Sequence, residues 1–125
     1  MISAQNNVWF IVTSPAVIVD NASLACNVMN NQPMTILFTR ALQGNPIFSS
    51  GAVGRGSMYA LILGSNLGAN LTMIGALAGI MWGKILVDKG CPISFREFAK
   101  YGLKVMPLVI AAGCLVLVLE LLLFV

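Results

Sequence analysis

The chain has 125 residues, of which 58% are hydrophobic and only 9% charged, and its net charge is +3. Soluble domains carry about 25% charged residues, so a water-soluble fold of this composition would expose large apolar patches. The chain has no histidine, its four acidic residues lie far apart, and Cys26, Cys91 and Cys114 form no CxxC pair. These features exclude a zinc cluster or a Ser-His-Asp triad built from this chain. We therefore expect an integral membrane protein that is not an enzyme, needs no cofactor or metal, and binds no nucleic acid.

Two apolar stretches begin the chain, at residues 8–19 and 22–42, and neither is long enough without interruption to cross a bilayer. Pro15 interrupts the first, and the polar segment 30–33 interrupts the second. A straight span needs about 20 apolar residues. The pattern predicts a helix plus a re-entrant helical hairpin over residues 8–42. The alternative is a single kinked spanning helix over residues 22–42.

Asp20 stands at the head of the hairpin arm and has two interpretations. An ionisable group at membrane depth is a candidate for proton relay. Alternatively, Asp20 caps a helix that begins at Ala22.

A connecting loop is predicted at residues 43–57, which are rich in Gly, Ser, Asn and Pro. The next stretch, 58–85, would be about 40 Å long as a helix at ~1.5 Å per residue, which exceeds the hydrocarbon core of ~30 Å. Its middle, residues 64–72, reads GSNLGANLT. Unwound backbone costs several kcal/mol per exposed group in lipid, so it persists only inside protein or beside a watery cavity. The segment therefore predicts a broken transmembrane helix and, with it, solute transport.

A basic connector is predicted at residues 86–104, followed by a spanning helix at 105–125. Within the connector, Ser94 and Glu97 have the spacing of a capping box. The helix that follows would lie along the membrane interface, with Arg96, Lys100 and Lys104 on its polar side. Positive residues favour the cytoplasmic side, so we expect the connector inside the cell and the 43–57 loop, the hairpin opening and the C-terminus outside.

The two polar interruptions are expected to meet at mid-bilayer and to bind solute there. Amide side chains offer donors and acceptors without net charge, helix ends direct their dipoles into the site, and glycine lets backbone approach a ligand. This chemistry suits a small polar solute or a weakly hydrated cation. The predicted binding residues are Asn30, Asn31, Ser65, Asn66, Gly68, Asn70, Thr72 and Gly75.

The sequence resembles the C-terminal part of the arsenite efflux permease family, within the ion transporter superfamily. The resemblance rests on NVMNNQP at 27–33, GSNLGANLTMIGALA at 64–78 and Trp82, with weaker similarity at 93–95 and 101–107. It covers nearly the whole chain but only about the last third of a family member. It implies that Asn30, Asn31 and Pro33 form the tip of a hairpin that opens outward. It also implies that a broken helix faces the substrate with Asn66, Gly68, Asn70, Thr72 and Gly75.

The function implied by the resemblance is efflux of arsenite or antimonite across the plasma membrane by a multi-pass protein, with proton exchange or with an ATPase subunit. Sodium/proton antiport or anion transport on the same scaffold is the first alternative. A small oligomerising membrane protein without transport activity is the second. Carriers of this kind contain two repeats, and the chain has room for one, so we expect a missing N-terminal part or a second copy as its partner. The small-residue segment 75–79 offers a surface for such a contact.

Overall fold

The computed structural model describes residues 8–49 and 51–124, and within them the chain is helical with no strand. The all-α prediction is confirmed. A 3-10 turn, Gly68–Asn70, follows the fourth helix. The α-helices in chain order are α1 Val8–Met29, α2 Asn31–Gln43, α3 Pro46–Ser49, α4 Gly51–Leu67, α5 Leu77–Asp88 and α6 Phe95–Phe124.

The first two helices fold back on each other about Asn30. Val17 of α1 and Leu42 of α2 line the same shallow groove, so the two helices run antiparallel. A single kinked helix over residues 22–42 is therefore wrong. The expected interruption at Pro15 is also wrong, because α1 continues through it. Since Asp20 lies inside α1, it does not cap a helix that begins at Ala22.

The fourth helix packs closely and in parallel against α1 through small residues. A methyl group on Gly64 would come within 2.7 Å of the Val19 carbonyl oxygen, and one on Gly68 would overlap the Ser23 backbone. The predicted 43–57 loop is correspondingly too long, since α3 and the beginning of α4 occupy part of it. Gly64 and Gly68, which indicated a helix break, serve instead to bring two helix backbones together, as small residues do in membrane bundles.

One long helix, α6, runs antiparallel to α1 and α4. It replaces the predicted interfacial helix and the separate spanning helix, because no residue between 95 and 124 ends it and Pro107 removes only one backbone donor. The predicted capping box is confirmed: Glu97 Oε2 accepts from the Ser94 backbone N–H at 3.2 Å and from its hydroxyl at 3.0 Å. Among the described residues, one helix segment, Phe95–Leu123, has the length and apolar character that a membrane crossing requires.

The fifth helix is attached more loosely than the others. Over its described length it has no buried residue. Its aromatic contact is the tilted pair Trp82–Phe98, with ring centroids 5.8 Å apart. The Met73 side chain lies under Gly83, on the side that α5 presents to the preceding segment.

Candidate solute site at the hairpin turn and the helix interruption

The helix interruption begins later than the sequence predicted. Helix α4 continues to Leu67, and only residues 68–76 leave the α-helical conformation. Ser65 and Asn66 are therefore helical, and both side chains donate back to the Ile62 carbonyl, at 3.0 and 2.8 Å. Gly64, expected to unwind the chain, is helical because it lies in the contact with α1.

The hairpin turn docks directly on the interruption. The Asn31 backbone N–H donates to the Gly75 carbonyl at 2.9 Å, and the Asn30 side-chain amide donates to the Ile74 carbonyl at 3.2 Å. A methyl group on Gly75 would overlap the Ala69 carbonyl and reach within 2.7 Å of Asn27 Oδ1. The turn thus supplies donors for carbonyl groups that, in a continuous helix, would accept from the N–H four residues later.

Asn27, which begins the sequence motif at 27–33 but was not among the predicted binding residues, connects the two segments. Its Nδ2 donates to the Gly68 and Ser23 carbonyls, each at 2.7 Å. Its Oδ1 accepts from the Thr72 backbone N–H at 3.0 Å and from the Thr72 hydroxyl at 2.7 Å. All of the hydrogen-bonding capacity of the amide is used. The available signal was an amide inside an apolar run, one helical turn before the tip.

Asn30 adopts a strained backbone conformation at the turn. Its φ of 72° and ψ of 152° lie in a region that glycine favours and other residues rarely occupy. Its side-chain oxygen accepts from the Gln32 backbone N–H at 3.4 Å and so caps α2. Backbone strain of this kind concentrates at functional sites, where the surrounding contacts hold it in place.

The structure brings together five of the predicted site residues, either directly or through Asn27, and leaves three outside this network. The Asn70 side-chain amide donates to the carbonyls of Asn66 and Leu67. Asn66 and Asn70 are both exposed, at the end of α4 and in the 3-10 turn that follows it. Ser65 is buried against its own helix. The connected residues are Asn30, Asn31, Gly68, Thr72 and Gly75.

Asp20 lies in a different place from the hairpin tip. It is exposed and lines a mainly apolar groove of about 790 Å³ between α1 and α6, together with Ser23 and Cys114. Cys26 is buried and its thiol lies 3.2 Å from the Ser23 carbonyl oxygen. The described residues contain no group of three or more His, Cys, Asp or Glu side chains that could hold a metal ion.

The contacts of helix α6 locate the interruption along the length of the molecule. A methyl group on Gly102 would overlap the Leu71 carbonyl, whereas Leu121 contacts the opposite end of α4, at Gly56. At ~1.5 Å per residue these two contacts are about 28 Å apart along the helix. Lys104 follows Gly102 by two residues, so the interruption is level with the basic end of α6.

A helical chain with an apolar spanning segment, and with a hairpin turn docked on a helix interruption, has the architecture of a membrane transport protein. The arsenical pump membrane protein family matches residues 4–123, and the chain belongs to this family. The prediction of the family is confirmed.

The relatives agree with this assignment. An arsenical pump membrane protein of Escherichia coli K12 is 26% identical over 100 residues, which cover 80% of this chain and 22% of the relative. One from Yersinia enterocolitica is 31% identical over 62% of this chain and 18% of the relative. An uncharacterized transporter of Synechocystis is 46% identical over 43% of this chain and 12% of the relative. The chain thus spans about a fifth of the length of the first relatives it matches. No solved structure matches it.

Proposed function

We propose that the chain is the solute-binding part of a carrier that extrudes arsenite or antimonite across the plasma membrane. The observation that carries the proposal is the docking of the hairpin turn on the helix interruption, which places polar backbone and amide groups together in an otherwise apolar protein. Family membership supports the transport of an arsenical. The matched relatives named as pumps are longer proteins, so another part of the carrier or a second copy completes the site in this proposal.

The residues divide into two groups in the proposed mechanism. Asn66 and Asn70 expose amides and bind the solute, while Asn27 and Thr72 hold the interruption open. Arsenite near neutral pH is a small uncharged molecule with hydroxyl groups. Amide side chains can exchange hydrogen bonds with it without a compensating charge. Release remains possible because no thiolate is required for binding.

In the membrane, the proposed hairpin of α1 and α2 is re-entrant from outside and α6 crosses the bilayer. The basic end of α6 and Cys91, which is exposed, are then cytoplasmic. Cys26 is buried, so a membrane-impermeant thiol reagent distinguishes the two faces mainly through Cys91. Labelling of Cys91 in intact, sealed cells would contradict this orientation. Labelling only in inverted vesicles would support it.

The transport proposal is tested by grafting the chain onto the Escherichia coli relative in place of its matching region. Inverted vesicles that carry the chimera should accumulate arsenite. Asn70→Leu should abolish accumulation while the amount of protein in the membrane stays the same, because the amide is lost and the fold is not. Asn21→Leu, a change at an exposed asparagine of α1, is the matched control. Full accumulation by the Asn70→Leu chimera would refute the assignment of the binding site.

Proton-coupled or sodium-coupled exchange is a second candidate, and the exposed Asp20 in the groove between α1 and α6 favours it. Carboxylates inside membrane segments commonly face a water-filled path or a partner group. Sodium-driven pH change in the same vesicles, abolished by Asp20→Asn, would favour this candidate. An ATPase subunit as the energy source predicts instead that Asp20→Asn leaves transport unchanged.

A further inference from the structure

The charge of the protein is concentrated at one end. Residues 84–104 contain five of the seven basic residues and two of the four acidic residues, so they account for the whole net charge of +3. The remaining charged residues balance one another. Three cations of the cluster, Arg96, Lys100 and Lys104, occur every fourth residue on α6 and are exposed. Residues at this spacing lie on one face of a helix.

The same face continues as an aliphatic surface along the rest of the helix. Leu108 follows Lys104 by one turn and is 74% exposed, and Leu115 and Leu122 are 61% and 50% exposed. The face therefore changes from cationic to aliphatic along its length. A phospholipid with an anionic headgroup has the same order of chemistry along its own axis.

The local acidic group offsets only part of the cationic charge. Glu97 lies near the same face, but its carboxylate accepts two hydrogen bonds from Ser94 at the helix N-terminus. The other acidic residue of the cluster, Asp88, belongs to the end of α5. Glu97 also interacts electrostatically with Lys100. One carboxylate cannot offset the three cations of this face, so the face stays positively charged and available to an anionic ligand.

We propose that this face of α6 binds an anionic phospholipid, with the headgroup at Arg96, Lys100 and Lys104 and an acyl chain along Leu108 and Leu115. Basic segments beside a membrane helix attract anionic headgroups by about fivefold in affinity per cation near the surface. The proposal is independent of the solute that the protein carries. Gly102 lies at the same level of α6 but on its buried side, where it packs on the helix interruption.

The test uses the complete chain in vesicles of phosphatidylcholine and phosphatidylglycerol. Leu108→Trp, with Trp9→Phe and Trp82→Phe, places the single tryptophan one turn below Lys104. Phosphatidylglycerol with brominated acyl chains should quench this tryptophan more strongly than brominated phosphatidylcholine at the same mole fraction. At about 1 M salt, where the screening length is ~3 Å, the preference should largely disappear.

Two double variants are compared: one removes two cations from the basic cluster, and the control removes two cations that lie far from it. Lys100→Gln with Lys104→Gln should reduce the preference for phosphatidylglycerol by at least about tenfold, while Arg40→Gln with Arg55→Gln, both exposed and remote, should leave it unchanged. Circular dichroism of both variants checks that the helices form; if the first fails to fold, the two single substitutions replace it. Equal quenching by the two lipids, or equal loss in both double variants, would overturn the proposal. Displacement of the lipid by inorganic phosphate at constant ionic strength would overturn it as well, because the site would then recognise phosphate alone.

Discussion

Glycine has different roles in two regions of the molecule, the contact between α1 and α4 and the attachment of α5. Along α4, Gly64 and Gly68 each meet backbone atoms of α1, so no side chain fits there. Along α5, Gly79 meets the backbone carbonyl oxygen of Met73 in the segment just before the helix, whereas Gly83 meets the end of the Met73 side chain, which can move. The α4 glycines therefore fix a contact with another helix, whereas Gly79 fixes only the adjacent segment and Gly83 lies against a side chain that can move.

The difference extends to burial and explains how the molecule is divided. Residues on α1 and α4 such as Val19, Ala22 and Ala60 are fully buried, whereas α5 buries none of its residues. The closely packed helices α1 and α4 lead into the interruption, and α5 follows it with its apolar side chains exposed. In a membrane protein such side chains face lipid or another part of the bundle.

The largest difference between the two regions is expected when a methyl group is added to one glycine in each. Gly68→Ala should destabilise the protein by about 3 kcal/mol or more, because the new group overlaps the Ser23 backbone and one helix must move. Gly83→Ala should be neutral or stabilising by up to about 1 kcal/mol, since alanine is the better helix former. Thermal unfolding in detergent micelles, followed by circular dichroism, measures both.

Equal destabilisation by the two substitutions would show that α5 is packed as rigidly as α4. A neutral Gly68→Ala would contradict the close approach of α4 to α1. Gly64→Ala serves as a second test of the same contact, because it meets the Val19 carbonyl oxygen at 2.7 Å.

The next largest effect is expected at Asn27, which joins the closely packed helices α1 and α4 to the interruption. Asn27→Ala should destabilise the protein by about 2 kcal/mol, because the Gly68 carbonyl and the Thr72 N–H lose their partner. Asn21→Ala removes only a bond to the carbonyl four residues earlier on an exposed face and should change stability by less than about 0.5 kcal/mol. Thermal unfolding again provides the measurement.

A double-mutant cycle sharpens the assignment. Because Thr72→Val removes one of the bonds to Asn27, the two substitutions should be non-additive by about 0.5–3 kcal/mol. Additive effects would mean that the bond from the Thr72 hydroxyl to Asn27 does not help to hold the interruption.

The sequence was informative where a local pattern of residues has one usual structural interpretation. The helical class, the capping box of Ser94 and Glu97, and the existence of two polar interruptions followed from hydropathy and spacing. The boundaries did not follow, because Gly64 has the same appearance in a loop, a break or a helix contact, and only the position of α1 decides among them. Asn27 was missed for a similar reason: its partners are 41 and 45 residues away, and local patterns carry no information about such distances.

The smallest effect expected within the candidate site concerns the strained turn, where removing the side chain should stabilise the protein. Asn30→Gly relieves a backbone conformation that costs about 1–3 kcal/mol for a residue with a side chain. It loses a hydrogen bond of about 1 kcal/mol to Ile74 and the side-chain cap on the Gln32 N–H, and glycine replaces a cap of this kind at a cost of about a few tenths of a kcal/mol. The free energy of unfolding should therefore rise by about 1 kcal/mol or less. Asn31→Gly lies inside the first turn of α2 and should lower the free energy of unfolding by about 0.5–1 kcal/mol. If the strain also positions the turn for the solute, the stabilised Asn30→Gly protein will transport less arsenite in the chimera. A variant that is both more stable and fully active would show that the strained conformation serves only the chain reversal.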